Sequence, residues 1–242
     1  VSSICSIPND EKKANQMKRR DFSAQVIGLA TVGLGGVGLG SESLAQSNDP
    51  VAGRQYQVVQ PPAPAGTAGK LEVVEFFWYG CPHCYAFEPL LDEWVKRLPS
   101  DVLFRRVPVA FRQDPFVIHQ KLYFSLEAMG LIDKLQRKVF DEVHLEQRPK
   151  GEQRSQLSTL EQINKFLDKQ GVDKAEFLSV FNSFAVSTKL GQAQKLVSTY
   201  QLNGVPALGI QGRFLTDGPM AGGMDKALQV TDFLLQKLRK GA

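Results

Sequence analysis

"EVVEFFWYGCPHCYAFEPLL" (residues 72–91) runs from an apolar stretch straight into Cys-Pro-His-Cys and then into a patterned helix. The upstream part, "KLEVVEFFWY", is almost continuously apolar, which predicts a strand buried on both faces. Downstream, Phe87, Leu90, Leu91, Trp94, Val95 and Leu98 recur at helical spacing until Pro99. Pro89 lies inside that helix and is expected to bend it. The cysteines therefore span the first helical turn. There the free N–H groups and positive end of the helix stabilise a thiolate on Cys81. Pro82 suits the first helical positions, where its missing N–H would have had no partner. His83 adds a donor or a positive charge. A stabilised thiolate is a better leaving group, which makes the disulfide more oxidising. Cys81 is the expected attacking sulfur, and Cys84, one turn in, the buried resolving one.

C-x-x-C by itself also occurs in zinc sites, but zinc takes about four ligands. Beyond this stretch the chain offers only His119, His144 and Cys5, so no metal is expected. A c-type haem would want histidine directly after the second cysteine, where Tyr85 stands. A structural disulfide remains open, although so short a loop constrains the unfolded chain little. No cofactor is expected.

Glu75 interrupts the apolar strand. Burying a carboxylate is costly unless it is paired or neutral. Either Glu75 is an edge-strand residue facing water, or it lies beneath the cysteines with a raised pKa and exchanges a proton with Cys84. Trp78 and Tyr79 either pack under the helix or form an apolar rim for an unfolded polypeptide.

The chain has 242 residues, is 43% hydrophobic and 22% charged, and carries a net charge of +4. That is too mild for a nucleic-acid surface, and no basic stripe is present. With three cysteines, no network of structural disulfides holds the fold. Residues 17–45 read as an export signal: Lys18, Arg19 and Arg20, then an uncharged glycine-rich stretch, then Ser43-Leu44-Ala45 for cleavage. Arg19-Arg20-x-Phe22 resembles a twin-arginine signal. Residues 1–16 are read as an upstream extension, which would remove Cys5 from the mature protein. The destination should be oxidising.

Further along, "QYQVV" is a short strand and residues 102–111 another, completing a strand–helix–strand unit. Residues 114–187 hold three or four helical segments, with Ser158-x-x-Glu161 and Asp173-x-x-Glu176 as capping boxes. A helix from about Thr188 leads to "GVPALGIQGRFL", a strand–turn–strand with its turn at Gln211-Gly212, and an amphipathic helix closes the chain. The proline in "NGVPAL" reads by itself as an ordinary strand-head residue.

"EFFWYGCPHCYAFEP", "GVPAL" and the helical segments between them resemble the DsbA family, bacterial periplasmic thiol:disulfide oxidases. The resemblance covers residues 55–240. It implies an α/β thioredoxin-like fold with an all-helical insertion domain: residues 54–113 and 188–242 form the two thioredoxin parts and 114–187 the insertion. It implies that Cys81 forms mixed disulfides, that Cys84 resolves them, that His83 stabilises the thiolate, and that Glu75 is the buried proton-exchange carboxylate. Val205-Pro206 would be a cis-proline loop receiving an extended substrate strand, with Trp78 and Tyr79 beside it. The implied setting is a periplasmic monomer, cleaved near Ala45, that acts on newly exported cysteine-containing proteins and is re-oxidised by a DsbB-like membrane quinone reductase. Gly80 stands where some relatives have a large aromatic, so the rim beside Cys81 is expected to be more open. A reductase or isomerase, and a non-catalytic chaperone or metal carrier using the same groove or thiols, are the competing functions. Pro-His between the cysteines favours the oxidising pole, and no dimerisation domain precedes the fold.

Overall fold

The computed structural model describes residues 49–66, 69–145 and 155–241. The extension, the export signal with Ala45, and Cys5 lie outside them. Five strands form one sheet in the order β1-β5-β4-β2-β3: β1 (Gln57–Val58), β2 (Leu71–Phe77), β3 (Val102–Pro108), β4 (Ala207–Ile210) and β5 (Phe214–Asp217). Only β2 and β3 are parallel; β4, β5 and β1 add antiparallel partners. β2 is flanked by β3 and β4, and this double pairing explains its unbroken apolar run. Every residue from Glu72 to Phe77 is buried. Glu75 is thus on an interior strand, which rules out the water-facing edge position.

Successive β2 side chains point to opposite faces of the sheet. Val73 packs with α1 (Pro82–Val95) and the closing helix α8 (Met224–Arg239), in a core that includes Phe87, Leu91, Leu208 and Leu234. Val74 and Phe76 face the other way, toward a core that also holds Val107, Val197 and Tyr200. That second core runs on without a break into Leu122, Leu135, Phe140, Ile163 and Phe177. These belong to α2 (Phe116–Ala128), α3 (Ile132–His144), α4 (Leu160–Lys169) and α5 (Lys174–Phe181). The inserted helices therefore share a core with the sheet.

Two helix starts differ from the sequence reading. α4 is capped by Thr159, whose side chain accepts the Gln162 N–H, while Gln162 Oε1 takes the Ser158 N–H at 2.9 Å. The capping box is thus shifted one residue from Ser158-x-x-Glu161, because Gln162 can reach back where Glu161 turns outward to a more exposed position. At Asp173 the side chain accepts from the Glu176 N–H at 2.7 Å, as read. The next helix, α6 (Phe184–Thr199), begins four residues before Thr188, because Ser183 caps it through the Val186 N–H. A division at residue 187 falls inside this helix. The β4–β5 turn has positive φ at Gln211 and Gly212; a side chain at Gly212 would meet the Ala63 carbonyl oxygen at 2.1 Å. A four-residue helix, α7 (Gly218–Ala221), follows β5.

Candidate active site

α1 begins immediately after Cys81, which is its N-cap residue, with Pro82 in the first turn. Cys81 is 8% exposed and Cys84 fully buried, both as free thiols; Pro82 and His83 are exposed. Cys81 Sγ lies 3.4 Å from the Val205 carbonyl oxygen, a contact that the protonated thiol can make as donor, and the Val205–Pro206 bond is cis. Pro206 is buried and Val205 half-buried at the head of β4. The structure therefore brings "CPHC" and "GVPAL", 124 residues apart, into contact.

The Cys81 thiol is pulled down to about 6, first by a hydrogen bond from Cys84 and only then by the backbone N–H groups of Cys84 and His83 and by the charge of His83. Burial opposes this. The helix end and His83 both contribute, as expected from the sequence, and the hydrogen bond from Cys84 adds to them. Cys84 is pushed well above the ordinary thiol value by burial, by its bond to Cys81 and by the charges of Cys81 and Glu75. At neutral pH the pair therefore holds one thiolate on Cys81 and one thiol on Cys84.

Glu75 is 0% exposed, and burial pushes its carboxyl up to about 8 despite the opposing charge of Arg106. The β2–β3 ladder places Arg106 directly beside it. Arg106 Nε donates to Glu75 Oε2 at 3.0 Å and lies 3.5 Å from Glu88, and Nη2 donates to Asp92 at 2.7 Å. One cation thus faces three carboxyls, two of them buried. Arg106, Glu88 and Asp92 were not singled out from the sequence. The signal was present, since "RR" in β3 and "EVVE" in β2 both place successive charges on opposite faces. Arg105 pairs bidentately with buried Glu72 on the other face, at 2.8 and 3.3 Å.

Trp78 is half-buried, with its indole stacked on Phe116 at a centroid distance of 3.9 Å. A side chain built at Gly80 would meet that indole at 2.3 Å. The place beside Cys81 expected to be open is filled by Trp78 folding back over Gly80. Tyr79 is fully buried among Phe77, Tyr123 and Phe140, with its hydroxyl on Gln136 Oε1 at 2.6 Å. It belongs to the core and does not reach a surface rim, because α3 covers it. A cleft of about 530 Å³ lies between β3, α2 and α6, lined by Glu72, Arg105, Phe124, Glu127 and Lys189, and neither cysteine borders it. No group of metal-ligating side chains occurs among the described residues.

A dithiol at a helix N-terminus, on a thioredoxin-like sheet with a helical insertion, defines a thiol:disulfide oxidoreductase. The family profile described as DSBA-like thioredoxin domain matches residues 119–229. The chain is 40% identical over 198 residues to the thiol:disulfide interchange protein DsbA of Pseudomonas aeruginosa, covering 82% of this chain and 90% of that one. It is 41% identical over 199 residues to the protein of that name from Azotobacter vinelandii, covering 82% and 89%. The crystal structure of Pseudomonas aeruginosa DsbA superposes with a TM-score of 0.73 at 40% identity, covering 81% of this chain and 97% of that one. The chain belongs to the DsbA family. No helix among the described residues is long and apolar enough to cross a membrane.

Proposed function

We propose that this protein donates the Cys81–Cys84 disulfide to newly exported proteins in the periplasm. The observation that carries the reading is the asymmetry of the pair: Cys81 caps the N-terminus of α1, 3.4 Å from the Val205 carbonyl oxygen, while Cys84 is wholly buried in the first turn, where burial disfavours its thiolate. A client thiolate attacks Cys81 Sγ, the Cys81–Cys84 bond breaks, and its electron pair goes to Cys84. Glu75, protonated near neutral pH, gives its proton to the Cys84 sulfur. A second client thiolate attacks the client sulfur of the mixed disulfide, and Cys81 leaves as thiolate. The client loses two electrons and the cysteine pair gains them. The Val205 carbonyl offers an acceptor to an extended client backbone beside Cys81, and Trp78 on Phe116 supplies an apolar shoulder; His83 and Pro82 lie open to the client. Residues 54–113 and 188–242, with the first turn of α6 from Phe184 added to the latter, form the thioredoxin-like unit around the inserted helices. The mature protein begins after Ala45, acts as a monomer, and is re-oxidised by a DsbB-like membrane quinone reductase.

The test is client oxidation in glutathione buffers with the Cys84→Ser variant alongside. An oxidase has an easily reduced disulfide, and the variant accumulates mixed disulfides through Cys81. A disulfide that resists reduction moves the protein to the reductase arm, and a variant that retains full activity leaves a chaperone.

A further inference from the structure

The four residues that end at Cys81 form a turn. The Cys81 N–H donates to the Trp78 carbonyl at 2.9 Å, with Tyr79 and Gly80 at the two central positions. Gly80 does not have the positive φ that a type II turn requires at its third residue. Turning the central Tyr79–Gly80 peptide over by about 180° would convert the turn to type II and keep the Trp78–Cys81 bond. Glycine meets no steric penalty in either form. The turn's own bond and residues therefore do not choose between the two. What distinguishes them is where the Tyr79 carbonyl points.

That carbonyl is held from the helical insertion. His144 Nε2 lies 2.7 Å from it; a carbonyl oxygen only accepts, so Nε2 carries the hydrogen. His144 is the last residue of α3, and its ring is stacked on Tyr85, with centroids 4.9 Å apart and planes 17° from parallel. Tyr85 follows Cys84 directly. Two further α3 residues, one and two turns back on the same face, hold the phenol. Asp141 Oδ1 accepts from its hydroxyl at 3.0 Å, and the Arg137 guanidinium lies over its ring at 4.4 Å. His144 therefore touches both flanks of the Cys-Pro-His-Cys segment, the backbone before it and a side chain after it. The stack sets the plane of the imidazole and so the direction of the N–H. Trp78 depends on the same turn, since its indole rests against Gly80.

We propose that His144 is a positioning residue for thiol–disulfide exchange: its N–H holds the Tyr79 carbonyl, and with it the form of the turn that aims Cys81 and seats Trp78 toward a client. This rests on Cys81 being the sulfur that clients attack. His144 acts through the backbone of residues 78–81. Tyr79 is fully buried, and a buried carbonyl left without a donor is costly. Removing the donor therefore shifts the balance toward the turned-over peptide. That form changes the face of Gly80 on which the indole lies and the direction in which the chain enters Cys81. A helix of the insertion thereby fixes the geometry of a site whose two sulfurs stand on the thioredoxin-like part.

The experiment compares the full chain with His144→Phe, which keeps a ring against Tyr85 but no donor, and His144→Gln, which returns an N–H donor without the ring. In the reduced, unsubstituted protein the imidazole nitrogen resonances should show a hydrogen on Nε2; a bare Nε2 overturns the proposal even where no variant folds. In H144F the Gly80 amide resonance should shift or split as the peptide turns over. The disulfide form of H144F should oxidise a reduced two-cysteine peptide more slowly by about fivefold or more. H144Q should restore the Gly80 resonance and most of the rate, which a role confined to ring packing would not do. A Gly80 resonance or a rate that stays fixed in folded H144F overturns the positioning role, as does H144Q behaving like H144F. Unsubstituted protein that does not oxidise the peptide at all overturns the oxidase reading itself, a failure distinct from those of the variants.

Discussion

Glu75 and Arg106 are direct neighbours in the parallel β2–β3 ladder, and Arg106 Nε donates to Glu75 Oε2 at 3.0 Å. The guanidinium does not keep Glu75 ionised at neutral pH, because complete burial outweighs it and Glu88 and Asp92 compete for the same charge. The pairing therefore leaves a carboxyl with its proton still on, within electrostatic reach of the Cys84 sulfur.

For Glu75 the raised folded value means the native state binds a proton that the unfolded state has already lost. Stability held at low pH is lost as pH rises from the unfolded value near 4.5 through about 8. Glu75→Gln, a neutral isostere, should abolish this loss. At pH above 8 the variant should exceed the parent by ~1–3 kcal/mol in denaturant unfolding, while converging with it near pH 5. Oxidation of the variant's thiols should slow about tenfold or more with the Cys81 titration retained. Equal rates at every pH would remove the proton-exchange role.

The Cys81 thiolate should titrate near pH 6 in ultraviolet absorbance of the reduced protein. Its folded value lies below the unfolded one, so the stability it contributes is present above the unfolded thiol's value near 9 and is lost as pH falls through about 6. The full effect is on the order of 4 kcal/mol in the reduced form. Cys84→Ala removes the leading hydrogen bond and should raise the Cys81 midpoint by about one pH unit or more. A smaller rise than that caused by replacing His83 would reverse the order of causes given above.

Arg106→Met leaves two buried carboxyls without their cation. The expected cost is about 3–5 kcal/mol at neutral pH, shrinking as the medium is acidified and both carboxyls accept protons. Urea unfolding at pH 5 and pH 8 measures it. A cost that does not change between the two would mean that packing of the arginine stem, and not its charge, holds the cluster.

Gly80→Ala puts a methyl group where the Trp78 indole lies, at 2.3 to 2.7 Å from three ring atoms. Trp78 must leave its stack on Phe116. The expected outcome is a shifted tryptophan emission, a loss of about 1–3 kcal/mol, and weaker capture of unfolded clients by Cys84→Ser protein. An unchanged emission spectrum would show that Gly80 is free to take a side chain.

Much of the architecture was legible in the chain. The helix after Cys81, the Asp173 cap and the turn at Gln211-Gly212 each rest on contacts within a few residues, so local pattern sufficed; the apolar run of β2 marked a buried strand without naming the distant strands that pair with it. Thr159 in place of Ser158, and the early start of α6 at Phe184, were misread because neighbouring capping residues differ little in intrinsic preference. Arg106 was missed for another reason: its partners are Glu75, Glu88 and Asp92, 31, 18 and 14 residues away in sequence, and only the strand register aligns the first of them. Gln136 lies farther still, 57 residues from Tyr79. The expected openness beside Gly80 failed because a missing side chain was read as space, when a neighbouring ring occupies it.

The sequence alone determined the reactive pair and its place at a helix N-terminus, since C-P-H-C followed by helical spacing is a local property of the backbone. It also marked Glu75 as costly to bury. Only the tertiary structure decided what that cost does. The β2–β3 pairing supplies one cation for three carboxyls, and the cover of α1 and α3 excludes water from two of them. Desolvation and shared charge are properties of the assembled interior, and they set the Glu75 carboxyl near 8 and favour a thiol at Cys84 over a thiolate.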